Sequence, residues 1–273
     1  MKWLKTLKTN RRPGVRRYIS MRALSSIKPV LPVAAILFVV YIMLVALIYL
    51  RQRSMLFFPT HAAVSSRLAP WSDGSRTIGY CREVSNPRAI WLMMHGNAGQ
   101  ASDRDYVLPR MSEMDSLYVL EYPGYGDRKG RPSLESINQA ASEAYELLRS
   151  RNPNTPVCVL GESIGSGPAC ALARDKTPPE KILLVVPFDS LEKVASEHFP
   201  FLPVRFMLRD AWNNVESLRG YTGPVEIFGA TDDTIIPIVH ARALASQIPK
   251  ARFIAIEGEH NDWSENDQVK IQP

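Results

Sequence analysis

At 273 residues the chain has room for one large α/β domain and an appendage. Its net charge of +6 sits at one end: residues 1–29 hold nine Lys/Arg and no Asp or Glu, whereas Ser54 to Pro273 hold 22 basic and 27 acidic residues. That division leaves a nucleic-acid face on the main domain unsupported. Three scattered cysteines, Cys81, Cys158 and Cys170, make neither a disulfide framework nor a metal-binding pair, and their apolar surroundings predict buried free thiols.

In chain order, residues 1–29 read as a basic cytoplasmic segment. Val30 to Leu50 follows, with 21 residues and no charge. As a helix it would be roughly 31 Å long, the thickness of a bilayer core, and Pro32 lies in its first turn, where proline is tolerated. The long apolar run, the basic lead and the absence of a small-x-small cleavage site in Arg51 to Pro59 argue for an uncleaved anchor over a signal peptide. Nine positive charges before the span against Arg51 and Arg53 after it place the N-terminus in the cytoplasm. In a bacterium the anchor would then sit in the inner membrane with residues 51–273 in the periplasm.

Ser54 to Pro59 is expected to leave the membrane as a short strand or extended stretch, and Ala62 to Asp73 as loop. Seven short apolar runs read as strands: Arg76–Val84, Ala89–Met94, Ser116–Glu121, Val157–Leu160, Ile182–Val186, Val225–Phe228 and Arg252–Ile256. Helical patterns fall between them at Ser102–Glu113, Ser133–Arg151, Gly165–Lys176 and Val239–Gln247. Alternating strands and helices predict a mostly parallel sheet with helices on both faces. In such sheets the site lies beyond the carboxyl ends of the strands.

Four features fall there. After Val157–Leu160 comes Gly161-Glu162-Ser163-Ile164-Gly165, a strand-to-helix turn that would lift the Ser163 hydroxyl above the sheet edge. Alone the motif arises by chance in roughly one chain in fifteen of this composition. After Ala89–Met94 comes His95-Gly96-Asn97-Ala98-Gly99, a loop whose Asn97 N–H, with that of Ile164, could hold an oxyanion. His95 itself reads as a brace for that loop. After Val225–Phe228 come Asp232 and Asp233. Both are candidates to orient a histidine; the spacing of Asp233 to Ile235, Ile236 and Pro237 favours it, and Asp232 suits turn formation. After the last strand comes His260, within reach of Ser163 on a glycine-bearing loop. The order Ser163, Asp233, His260 matches a serine hydrolase of this topology. No cofactor or metal is called for by any cluster of ligating residues.

With these residues in view, the chain resembles the α/β-hydrolases, most closely the small membrane-anchored abhydrolase-domain or serine-aminopeptidase-like branch. The stretches that carry the likeness are Leu56 to Pro59, His95 to Gly99, Glu121 to Ser133, Gly161 to Ala169, Phe199 to Asp210, Asp232 to Pro237 and Gly258 to Asp262. The resemblance implies an α/β-hydrolase fold with a small cap, here at residues 188–223, and a catalytic triad at Ser163, Asp233 and His260. Three departures stand out. Gly229-Ala230 replaces a common His-Gly, Glu121 replaces a common Asp, and Ser264 to Pro273 is too short and polar for the C-terminal helix of many relatives, so one sheet face should be thinly covered.

The implied activity is cleavage of carboxylic or thio-esters through an acyl-enzyme, on small or lipid-like acyl substrates. A peptidase of the same fold, a non-catalytic anchored scaffold and a secreted soluble esterase are the alternatives. Phe199, Phe201, Leu202, Phe206, Met207, Leu208 and Trp212 in the connector read either as a hydrophobic acyl site or, for most of them, as packing of the cap on the sheet. The oligomeric state is not legible.

Overall fold

The structure, a computed structural model, describes residues 30–63 and 65–273; the basic segment 1–29 lies outside the described residues. The chain falls into two units, Met1–Ile48 and Tyr49–Pro273. The described part of the first is the apolar stretch of helix α1 (Val30–Leu56), whose last two turns belong to the second unit. The helix is long and apolar enough from Pro32 to Leu56 to cross a membrane, with mean hydropathy 2.9 in an 18-residue window. It runs six residues past Leu50, so Ser54 to Leu56 is helical and not extended. The reason lies in its last turns. Gln52 and Arg53 are held by Met207, Arg209 and Asp210 of the connector at residues 188–223, and the Phe57 N–H still donates to the Arg53 carbonyl at 2.9 Å.

Next come strands β1 (Phe58–Pro59), β2 (Ala69–Asp73), β3 (Arg76–Arg82), β4 (Ile90–Met94) and β5 (Ala98–Gly99), then β6 (Ser116–Leu120), helix α2 (Leu134–Arg151), β7 (Val157–Glu162), α3 (Ser166–Ala171), β8 (Ile182–Val185), α4 (Leu191–His198), α5 (Val204–Met207), α6 (Asn214–Ser217), β9 (Val225–Ala230), α7 (Ile238–Gln247) and β10 (Ala251–Ile256). The main sheet has the order β10-β9-β8-β7-β4-β6-β3-β2. It is parallel from β10 to β6 and antiparallel only at β3 and β2. Strand β2 lies in the stretch expected to be loop. Its Ala-Pro-Trp-Ser-Asp sequence has no alternation, and Pro70 is tolerated because the strand is at an edge. Trp71 secures it, buried edge-on against Tyr118 at 4.8 Å between centroids.

Alternate strand residues enter two cores. Ile90, Leu92, Val157, Val159, Ile182 and Leu184 face α2, α3 and α7. Trp91, Met93, Leu117, Val119, Leu160 and Leu183 face the other side. Each fully buried aliphatic chain contributes about 2 kcal/mol by leaving water. Helix α2 starts where its sequence suggests: Ser133 Oγ accepts the Ser136 N–H and Ser136 Oγ accepts the Ser133 N–H, a reciprocal cap. The second face carries no α-helix among the described residues. A 3-10 segment, Ala101–Arg110, stands where an α-helix was expected, with Pro109 inside it. The C-terminal stretch completes that face: Trp263, Val269 and Ile271 are buried in the same cluster, and the Ile271 N–H donates to the Arg110 carbonyl. Trp263 and two side chains of the short polar tail, Val269 and Ile271, thus pack on that face.

Burial raises the thiol pKa of Cys81 to about 11 and of Cys158 to about 12, and that of Cys170 well above its ordinary value. All three are free and buried.

Candidate active site

Strand β7 ends at Glu162, and the chain reverses through Ser163, whose φ is +54°. A non-glycine residue in that region is strained by about 1–3 kcal/mol and is held only by tight surroundings. The surroundings are tight. A Cβ on Gly161 would lie 2.7 Å from Ser166 Cα and 2.8 Å from Ala169 Cβ, and one on Gly165 would overlap the Met94 carbonyl oxygen. Both flanking positions therefore need glycine.

His260 follows β10, and Asp233 follows β9. The Ser163 hydroxyl lies 2.9 Å from His260 Nε2, and His260 Nδ1 lies 2.6 Å from Asp233 Oδ2. With Nδ1–H donating to the carboxylate, Nε2 is the acceptor for the serine proton. The other Asp233 oxygen accepts the Ile235 and Ile236 N–H groups at 2.9 and 2.7 Å, which fixes the carboxylate. All three side chains are buried. Asp232 lies outside this chain of contacts; its carboxylate meets the Thr231 hydroxyl in solvent. Strand β9 runs through Gly229 and Ala230, paired with Ala255 and Ile256, so the departure at these positions leaves the strand end intact.

The loop after β4 is pinned by its carbonyls. Tyr122 donates its hydroxyl to the His95 carbonyl at 2.7 Å, and Tyr125 donates to that of Asn97 at 2.6 Å. The His95 ring is stacked on Tyr122 with Nδ1 2.7 Å from the Gly96 carbonyl oxygen. Because a trans peptide points its N–H opposite to its C=O, the Asn97 N–H is aimed away from that ring. Burial holds the His95 pKa well below its usual value, so the ring is neutral. Strand β1 adds a brace: the Phe58 N–H donates to the Asn97 carbonyl, and Asn97 Nδ2 donates to the Leu56 carbonyl.

An uncharacterized protein of Mycobacterium tuberculosis is 30% identical to this chain over 251 residues, 85% of this chain and 88% of that one. Lysophosphatidylserine lipase ABHD12 of Macaca fascicularis is 28% identical over 202 residues, 66% of this chain, and the chain spans about half the length of that lipase. The chain belongs to the α/β-hydrolase family, among its abhydrolase-like members. Solved structures agree on the hydrolase fold. An esterase of Pyrococcus furiosus matches with a TM-score of 0.58 at 11% identity over 76% of this chain and 95% of its own. Est1E of Butyrivibrio proteoclasticus, with ferulic acid bound, matches at 0.58 and 16% identity, over 70% of this chain and 91% of its own. No protein-family profile matches the chain.

In this hydrolase one residue next to Ser163 escaped sequence reasoning. The buried Glu162 carboxylate accepts the Gly96 N–H at 3.1 Å, the Tyr106 hydroxyl at 2.8 Å and the Trp263 indole N–H at 2.9 Å. It thereby ties the loop after β4, the 3-10 segment and the His260 loop to the serine turn. Tyr106 is kept protonated, its pKa raised by burial and then by Glu162. The partners lie 56 to 101 residues away, so no local pattern announces them. Glu121, one of the departures from the family pattern, is buried with its carboxyl pKa raised to about 7 by burial, an effect partly offset by the Ala101 N–H it accepts. Among the described residues, no group of three or more His, Cys, Asp and Glu could hold a metal ion.

Proposed function

We propose that the chain is a serine hydrolase that cleaves carboxylic or thio-esters of small or lipid-like acyl compounds at a membrane, held there by residues 30–50 with the N-terminus on the cytoplasmic side. The observation that carries this reading is the unbroken line Ser163 Oγ, His260, Asp233, with contacts of 2.9 and 2.6 Å. The lipase named among its relatives supports a lipid-like acyl group.

His260 Nε2 takes the Ser163 proton as the Ser163 oxygen attacks the acyl carbon. Asp233 holds the ring in the required tautomer and stabilises the imidazolium. The tetrahedral oxyanion faces the N–H groups of Asn97 and Ile164, worth about 3 kcal/mol each in the transition state. Collapse expels the alcohol or thiol, protonated by His260. Water, deprotonated by the same nitrogen, then attacks the acyl-Ser163 ester and frees the carboxylic acid and the serine. Steady-state hydrolysis of p-nitrophenyl esters of increasing chain length tests this. Wild type should turn over, with kcat/KM rising toward longer chains, and Ser163→Ala should lose at least about a thousandfold in kcat. Equal rates for the two proteins would sink the assignment.

A further inference from the structure

Of the apolar side chains in the connector, Trp212 is buried, but Phe199, Phe201 and Phe206 are 48, 87 and 85% exposed. Packing of most of these residues on the sheet, the expected alternative, is therefore overturned for the phenylalanines. Three exposed phenyl rings within eight residues are costly in water and mark an interaction surface. The stretch Phe199 to Arg209 holds no acidic residue, two prolines and two arginines, the composition of a segment that lies in a lipid interface.

Its position along the chain names the partner. Gln52 stands two residues past Leu50, where the apolar span ends. Its side chain donates to the Met207 carbonyl at 3.0 Å and accepts the Arg209 N–H at 2.8 Å. Arg53 makes two bonds to Asp210, 2.8 and 3.0 Å, and buried Asp210 also accepts the Leu134 N–H at the start of α2. The Arg209 guanidinium lies 5.1 Å from the Tyr49 ring centroid. The residue next to Phe206 is thus bonded to the turn at which α1 would emerge from the bilayer. Two helical residues rise only about 3 Å, less than the depth of a headgroup layer.

We propose that the tip of the cap, Phe199, Phe201 and Phe206, is seated in the interface of the same bilayer that α1 crosses, with Arg205 and Arg209 toward lipid phosphates. This rests on the reading of residues 30–50 as a bilayer span. The tip leads toward the site: His198 Nε2 lies 2.8 Å from the carbonyl of Ile235, two residues after Asp233, and Ile235 and Val239 are also exposed. An acyl chain leaving the bilayer at the tip would meet apolar surface on its way to the loop that carries Asp233.

Spin labels on the full-length protein test it. Phe206→Cys and, with all three phenylalanines kept, Arg205→Cys are labelled and reconstituted in phosphatidylcholine–phosphatidylglycerol vesicles. Lys250→Cys, at the opposite end of the sheet, is the control. The native cysteines are buried and stay unlabelled. Flotation in alkaline carbonate first shows whether the protein is membrane-spanning. Power saturation with oxygen and a neutral nickel chelate then reads lipid contact. Flotation is expected, with an oxygen-to-nickel accessibility ratio at 205 and 206 roughly fivefold above that at 250. Loss of the protein from the floating fraction overturns the anchor and with it the docking. Flotation with ratios at 205 and 206 equal to that at 250 overturns the docking alone. Labels shielded from both reagents mean that protein covers the tip, which also overturns it.

Discussion

Trp263 donates its indole N–H to Glu162 at 2.9 Å, so the residue three places after His260 is bonded to the residue just before Ser163. The two ends of the proposed proton path are thereby held in register by a buried carboxylate outside it. Replacing Glu162 with Ala would strand the Gly96 N–H, the Tyr106 hydroxyl and the Trp263 N–H, at about 1–3 kcal/mol for each buried group left unpaired. Glu162→Ala should show a clearly lower urea midpoint. Glu162→Gln, which keeps an acceptor, should fold but lose roughly tenfold in kcat with KM little changed, because small displacements of the loops cost rate more than binding. Parallel unfolding and kinetic measurements on the two variants check this.

The two adjacent aspartates should separate cleanly. Asp233→Asn removes the acceptor that sets the His260 tautomer, and kcat should fall by about 10³–10⁴. Asp232→Asn alters an exposed carboxylate that meets Thr231, and its kcat should stay within about twofold of wild type. Steady-state kinetics on a soluble ester decides between them.

Stability should depend on pH through Glu121. Its folded pKa, about 7, is raised above the ordinary 4.5. A raised carboxyl pKa means that the fold retains a proton that the unfolded chain releases. The contribution is complete below pH 4.5, declines as pH rises through 7 and is gone above it, a span of roughly 3 kcal/mol. Glu121→Gln keeps an acceptor for the Ala101 N–H without a titrating charge. The urea-derived stability of wild type relative to Glu121→Gln should therefore drop between pH 5 and pH 8. A constant difference would refute the assignment.

Gly165→Ala should destabilise by about 1–3 kcal/mol, since its methyl has no place beside the Met94 carbonyl. Thermal melts measure it.

Much of this arrangement was legible because parallel strands buried on both faces read as plain apolar runs. Val157–Leu160, Val225–Phe228 and Arg252–Ile256 marked the strand ends beyond which Ser163, Asp233 and His260 stand. Ser133 announced the start of α2 through its own cap. What stayed hidden depends on distant partners. Strand β2 exists because Trp71 finds Tyr118, not because Ala69–Asp73 alternates. Helix α1 continues to Leu56 because Gln52 and Arg53 meet residues about 155 positions away. The exposed Phe201 and Phe206 have the composition of core, and only their placement distinguishes the two. Glu162 is one letter inside a short motif, and its three partners come from three other segments of the chain.

As the proposed nucleophile, Ser163 should be captured covalently. The full-length protein is treated with a fluorophosphonate and digested, and the adduct is located by mass spectrometry. A single phosphonylated site is expected at Ser163, absent in Ser163→Ala and strongly slowed in His260→Ala. An unlabelled wild-type protein that is folded and turns over ester, or an adduct on any other residue, would contradict it.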